Sequence, residues 1–163
     1  METNNTKEVI QINQLPINKA DIQDFSNRIL DYLESGTIPE KPSLVLAHGR
    51  TSTNKVCVDN VHPFEYRGNY LIHNGILDYC GSKDELPDAT NGCDSEIYLK
   101  WLARHNVHDS FDNWTGYGAI FHLSSAGQLQ LIKCSSARLY ACKRQGENGW
   151  IFATSDDDLT SLV

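Results

Sequence analysis

Two short apolar runs, Leu44-Val45-Leu46-Ala47 and Tyr70-Leu71-Ile72, each end on a histidine followed by a polar cluster. The clusters are His48-Gly49-Arg50-Thr51 and His73-Asn74-Gly75, with His62-Pro63 between them. A strand is rigid and the loop beyond it is exposed, so strand ends are natural places for a site. Arg50 offers a planar fork of donors that grips a carboxylate at two points. Asn74 and Gly75 offer a side-chain amide and a backbone N–H, two donors able to stabilise one oxyanion. Each has a plainer reading. A lone arginine is usually a surface or ion-paired residue. Asn-Gly between apolar residues is the strongest short-range signal for a two-residue hairpin turn.

Asp94, in Cys93-Asp94-Ser95-Glu96, precedes the helical spacing of Ile97, Trp101 and Leu102, with Tyr98 flanking. Its plain reading is a helix N-cap, and a carboxylate there can also face a bound ammonium. Cys57 lies in a polar stretch, Thr51 to Asn60, near the candidate site. A nucleophilic thiol needs an adjacent base. The residue therefore reads first as a small apolar side chain and only second as a nucleophile.

Taken in order, HGRTST, HPF, HNGIL and CDSE resemble the class II glutamine amidotransferase domain, an N-terminal-nucleophile (Ntn) hydrolase fold, and bacteriophage-encoded members come closest in spacing. The tail GYGAIFHL…LQLIKCSSARLYACK…GWIFATSDDDL resembles the same family, so the likeness covers about Leu44 to Leu159. The resemblance implies that Arg50 grips the α-carboxylate of glutamine and that Asp94 pairs with its α-ammonium. It further implies that Asn74 and Gly75 form the oxyanion hole and that His62 supports the loop beneath. Thr53 matches the threonine that closes the family's arginine motif. Family members begin with a cysteine whose thiol is the nucleophile and whose α-amine is the base. This chain begins Met-Glu-Thr-Asn-Asn-Thr and has no cysteine before Cys57.

The elements that must carry these residues follow from patterning. The alternation within Lys7 to Gln14 reads as a short strand at a sheet edge. Ile22, Phe25, Ile29 and Leu33 recur at helical spacing, giving a helix over Lys19 to Ser35 closed by Gly36. A strand is expected over Ser43–His48. Tyr79 to Gly92 reads as loop, and Asn106 to Asn113 as a polar connection. Four strands are expected at Tyr117–Leu123, Gln128–Lys133, Leu139–Cys142 and Trp150–Ala153, paired antiparallel through short turns. A second capping box, Ser155 to Asp158, announces a short helix.

The fold class expected is α+β: two stacked antiparallel sheets flanked by helices, αββα and Ntn-hydrolase-like, trimmed at the N-terminus. Residues 1–18 form a flexible start with the edge strand, and residues 19–163 a single class II glutamine amidotransferase-like domain. The chain has 14 basic and 21 acidic residues in 163, a net charge of −7. Scattered basic residues argue against nucleic acid as a partner. No run approaches the length of a membrane span, and no secretory signal is present, so the expected location is cytoplasmic. The five cysteines, an odd number, read as reduced thiols and not as a disulfide framework. No C-x-x-C or H-x-x-x-H spacing occurs, so neither a metal nor a cofactor is expected.

The function expected is that of a non-catalytic, degenerate amidotransferase-like domain. It binds a small glutamine-like amino acid or a protein partner, as a phage-encoded regulator would. The alternative is an active amidotransferase that releases ammonia from glutamine with a nucleophile displaced or supplied elsewhere.

Overall fold

The structure, a computed structural model, describes residues 44, 46, 48, 60–88, 92–134, 136–143, 149–156 and 159. All of these except Leu44, Asn60 and Val61 belong to one compact unit, residues 46–48 and 62–163. The strand expected at Lys7 to Gln14, the helix at Lys19 to Ser35, and Arg50, Thr53 and Cys57 lie outside the described residues. So do Ser43, Val45 and Ala47 of the strand expected at Ser43–His48, while Leu44, Leu46 and His48 are described and lie in no strand.

Four strands form one antiparallel sheet in the order β1 (Phe64–Tyr66), β2 (Asn69–Tyr79), β3 (Trp114–Leu123) and β4 (Leu129–Cys134). A two-residue turn, Arg67-Gly68, joins β1 to β2 with φ of 51° and 73°. Positive φ at both central residues gives the turn whose twist matches that of its strands. Asn69 secures it by donating from Nδ2 to the carbonyls of Tyr66 (3.1 Å) and Arg67 (3.3 Å). Helix α1 (Asp94–Leu102) follows, then a 3-10 turn at Val107–Asp109, the single-turn helix α2 (Ser110–Asn113) and β3. The expected polar connection at 106–113 is thus two short helical turns, opened by a capping box at Asn106. The hairpin β5 (Tyr140–Cys142) and β6 (Ile151–Ala153) makes a second, two-stranded sheet.

Residues directly opposite each other across a ladder share a face. Leu71, His73 and Leu77 of β2 therefore face the same side as Ile120 of β3 and Ile132 of β4. Helix α1 covers that side with Tyr98, Leu99, Trp101 and Leu102, which are at most 6 % exposed. The spacing places Ile97, Trp101 and Leu102 in this stripe, with Tyr98 flanking, and does not use Leu99. In the structure Leu99 is fully buried, and Ile97 only packs against the cluster. The opposite face carries Ile72, Asn74 and Ile76 of β2 beside Tyr117, Ala119 and Phe121 of β3. The second sheet meets this face: the rings of Phe152 and Phe121 pack edge to face at 5.9 Å. The described unit is thus mixed α/β, with helix α1 on one face of an antiparallel four-stranded sheet and a strand pair on the other. None of its helices is long and apolar enough to cross a membrane.

One buried polar cluster clasps the far end of this sheet. His122 of β3 is 4 % exposed. Its Nδ1 lies 2.8 Å from Gln130 Oε1 and its Nε2 3.3 Å from Asn69 Oδ1, which also accepts from the Ser125 N–H at 3.2 Å. Burial lowers the imidazole pKa from its ordinary value, and the Gln130 hydrogen bond partly opposes this. Burial thus favours the neutral ring, which has a single N–H to donate to one of these two oxygens. Its contribution to stability is complete above about pH 6.5 and is lost as pH falls from there through the lower folded value. Melting temperature is expected to drop between pH 7 and pH 5, with His122→Gln showing a shallower drop. Equal slopes in the two proteins would remove His122 as a source.

Candidate functional site

His73-Asn74-Gly75 is not a turn. All three lie inside β2, and each is paired with β3: His73 with Ile120, Asn74 with Ala119 and Gly75 with Gly118. The glycine is required by the closeness of the strands. Gly75 has φ of 153°, and a Cβ there would stand 2.1 Å from the Tyr117 carbonyl oxygen and 2.5 Å from Gly118 Cα. The facing glycines also leave room for the His73 ring, whose Nε2 would lie 2.5 Å from a Cβ at position 118.

His73 is 4 % exposed and reaches helix α1. Its Nδ1 lies 3.0 Å from Ser95 Oγ and 3.9 Å from Asp94 Oδ2. The combination of serine, histidine and aspartate is not a nucleophile–base relay. Ser95 is 2 % exposed, and its Oγ and the carboxylate meet the same ring nitrogen, whereas a relay needs them on opposite nitrogens. The trio instead fastens the first turn of α1 to β2.

Asp94 is not the N-cap. Cys93 holds that position, with φ −72° and ψ 130°, and Asp94 is the first helical residue. Both of its oxygens accept backbone N–H groups, Oδ2 from Leu77 at 2.9 Å and Oδ1 from Ser95 at 2.8 Å. The Ser95 hydroxyl (3.3 Å) and Cys93 thiol (3.5 Å) also donate to Oδ1. The Asp94 side chain keeps 30 % exposure, so the carboxylate still has a solvent-facing side.

The Leu77 bond also fixes the direction of the strand edge. Backbone groups alternate sides along a strand, and the Leu77 N–H points away from β3 to reach Asp94. By the same two-residue alternation the Gly75 N–H lies on that edge, about 7 Å along the strand. Strand β1 pairs only with Asn69, Tyr70 and Leu71, so no described strand covers this edge beyond Leu71. Asn74 is exposed on the face opposite α1, and its Nδ2 donates to Thr154 Oγ1 at 2.9 Å. His62, 7 % exposed, leads into β1; its ring lies tilted against His48, centroids 4.2 Å apart, and stands edge-on to Phe64 at 4.8 Å.

Asn74, Gly75 and Asp94 thus occupy one strand and the helix turn bound to it, and His62 precedes the neighbouring strand. His73, Ser95 and Thr154 complete the constellation, and the sequence assigns them no individual role. The alternation of Leu71, His73 and Leu77 is the signal that would have put His73 on the inner face. The contacts of Ser95 and Thr154 are long-range and have no local signature.

A cavity of about 320 Å³ lies beside Tyr98 in the middle of α1 and the start of α2, lined by Leu77, Tyr98, Ser110, Phe111, Trp114, Thr115, Gly116, Lys133 and Cys134. It shares only Leu77 with the constellation above. Burial pushes the Tyr98 phenol up to about 12 and raises the Cys134 thiol, so both stay protonated and neither is an activated nucleophile. Asn74 and Gly75 of β2 and Asp94 of α1, tied together through the Leu77 N–H, do not line this cavity.

Among the described residues no three His, Cys, Asp or Glu side chains cluster as a metal site. Comparison with protein-family models, curated proteins and solved structures finds no match to the chain.

Proposed function

We propose that this chain is a non-catalytic member of the class II glutamine amidotransferase type, with an Ntn-hydrolase-like αββα fold, and that it binds a small α-amino acid such as glutamine. The observation that carries this is the Leu77–Asp94 hydrogen bond. It ties the strand bearing Asn74 and Gly75 to the helix start bearing Asp94, two motifs that are 20 positions apart (94 − 74). In this reading the exposed side of the Asp94 carboxylate takes the ligand's ammonium. The Gly75 N–H, about two residues along the same edge, and the Asn74 amide meet its side-chain carbonyl. The family resemblance assigns the α-carboxylate to Arg50. The ligand would lie along this strand edge, with which no described strand pairs beyond Leu71.

The non-catalytic part rests on the thiol beside the site. A reactive cysteine needs a positive or basic neighbour to hold its thiolate. The Cys93 thiol donates to the Asp94 carboxylate, so the neighbour it faces there is an acceptor and not a positive group. In this reading the site binds its ligand without turning it over.

An amino acid that binds only the folded state raises its stability. At about 100 times its dissociation constant the gain is about 2.7 kcal/mol, on the order of several degrees in melting temperature. Glutamine is expected to produce that shift, and Arg50→Lys to reduce it, because a point charge cannot reproduce two parallel hydrogen bonds. If saturating glutamine, glutamate and asparagine all leave the melting curve unmoved, the amino-acid reading fails. A protein partner would then be sought by pull-down.

A further inference from the structure

We infer that Thr154, the residue after β6 of the second sheet, is the positioning residue for the Asn74 amide, and so sets selectivity for ligands whose side chain carries a carbonyl. The inference rests on the amino-acid-binding reading above and adds a residue and a specificity to it. Asn74 projects from the face opposite α1, where its cross-strand partner is Ala119 and its neighbour on the same face is the half-exposed Ile76. Its same-face neighbours Ile72, Ile76 and Ala119 are apolar and offer the amide no hydrogen bond. The hydrogen bond from Nδ2 to Thr154 Oγ1, at 2.9 Å, supplies one.

An amide is planar, so holding one N–H directs the second N–H as well. That second donor is the one available to a ligand carbonyl. Thr154 directly follows β6, whose Phe152 is anchored against Phe121 of β3. The hydroxyl is therefore delivered by an element packed on the sheet that carries Asn74. Threonine is also β-branched, which limits its own χ1 freedom and makes it a firm support.

Three proteins and two ligands test this. Wild type, Thr154→Val and Thr154→Ser are titrated with glutamine and with norvaline, which keeps the α-amino acid and lacks the side-chain amide. Thr154→Val preserves shape and β-branching and removes only the hydroxyl. It is expected to weaken glutamine by several-fold to about tenfold, the range of one hydrogen bond, and to leave norvaline unchanged. Thr154→Ser restores the glutamine value. The Asn74 side-chain NH₂ signals in an ¹⁵N spectrum shift in Thr154→Val and return in Thr154→Ser. Equal weakening of both ligands, or unchanged glutamine affinity in Thr154→Val, overturns the positioning role while leaving the amino-acid site standing. Wild-type protein that binds neither ligand overturns the amino-acid reading itself, and the role of Thr154 with it.

Discussion

Gly75→Ala is expected to destabilise the protein by about 4 kcal/mol or more, which places it among the exceptional single substitutions. Two costs combine. Gly75 has φ of 153°, a conformation that side chains rarely adopt. The added Cβ would also stand 2.1 Å from the Tyr117 carbonyl oxygen and 2.5 Å from Gly118 Cα. Both obstacles are backbone atoms in a ladder paired from Tyr70 to Tyr79, so neither can swing aside as a side chain could. Relief requires β2 and β3 to separate at the point where His73 and Asp94 are fastened. Gly127→Ala is the control. Its φ is 82° and nothing lies within 4 Å of the added Cβ, so it carries conformational strain alone, about 1 kcal/mol. Denaturant unfolding of both variants separates the terms. A Gly75→Ala protein within about 1 kcal/mol of Gly127→Ala would mean that the strands yield cheaply there.

The same glycine shows where local sequence rules stop. Asn74-Gly75 satisfies the two-residue turn signal, yet it lies in the middle of an 11-residue strand. The true turn, Arg67-Gly68, has a weak signal because arginine seldom takes positive φ. The inner-face alternation of Leu71, His73 and Leu77 runs through Asn-Gly without a break, and that period-2 pattern was the better guide. Strand β3 begins at Trp114 and not at the expected Tyr117, because Thr115 and Gly116 pair with Asp78 and Leu77 of β2. Glycine weakens a strand signal, and only the partner strand restores it. The start of α1 was legible from composition, and the boundaries of β4, β5 and β6 fall within a residue or so of those expected. The candidate site was legible as residue types and not as geometry. The Asn74–Thr154 bond spans 80 positions, a distance over which no spacing rule operates.

Asp94→Asn is the second large effect expected, and its reason is also non-local. As an N-cap, Asp94 could be replaced by asparagine at little cost, since the two cap about equally well. In the folded chain it is the first helical residue, and each oxygen accepts a backbone N–H, from Leu77 on β2 and from Ser95 on α1. Asparagine has one acceptor oxygen and one donor group. Whichever way the amide turns, one backbone N–H faces another donor, and that contact costs about 1–3 kcal/mol. Denaturant unfolding is expected to show this loss, with faster amide exchange at Leu77 or Ser95. An Asp94→Asn protein within about 0.5 kcal/mol of wild type would mean that the carboxylate is not shared between strand and helix. The stability loss does not obscure the functional reading. From a typical stability of about 5–15 kcal/mol, losing up to about 3 kcal/mol leaves at least about nine-tenths of the molecules folded. Apparent affinity scales with that folded fraction, so unfolding alone lowers it by about a tenth at most. A tenfold or larger loss of amino-acid binding in Asp94→Asn therefore belongs to the site, to the missing charge opposite the ammonium and to the loosened helix turn that presents it.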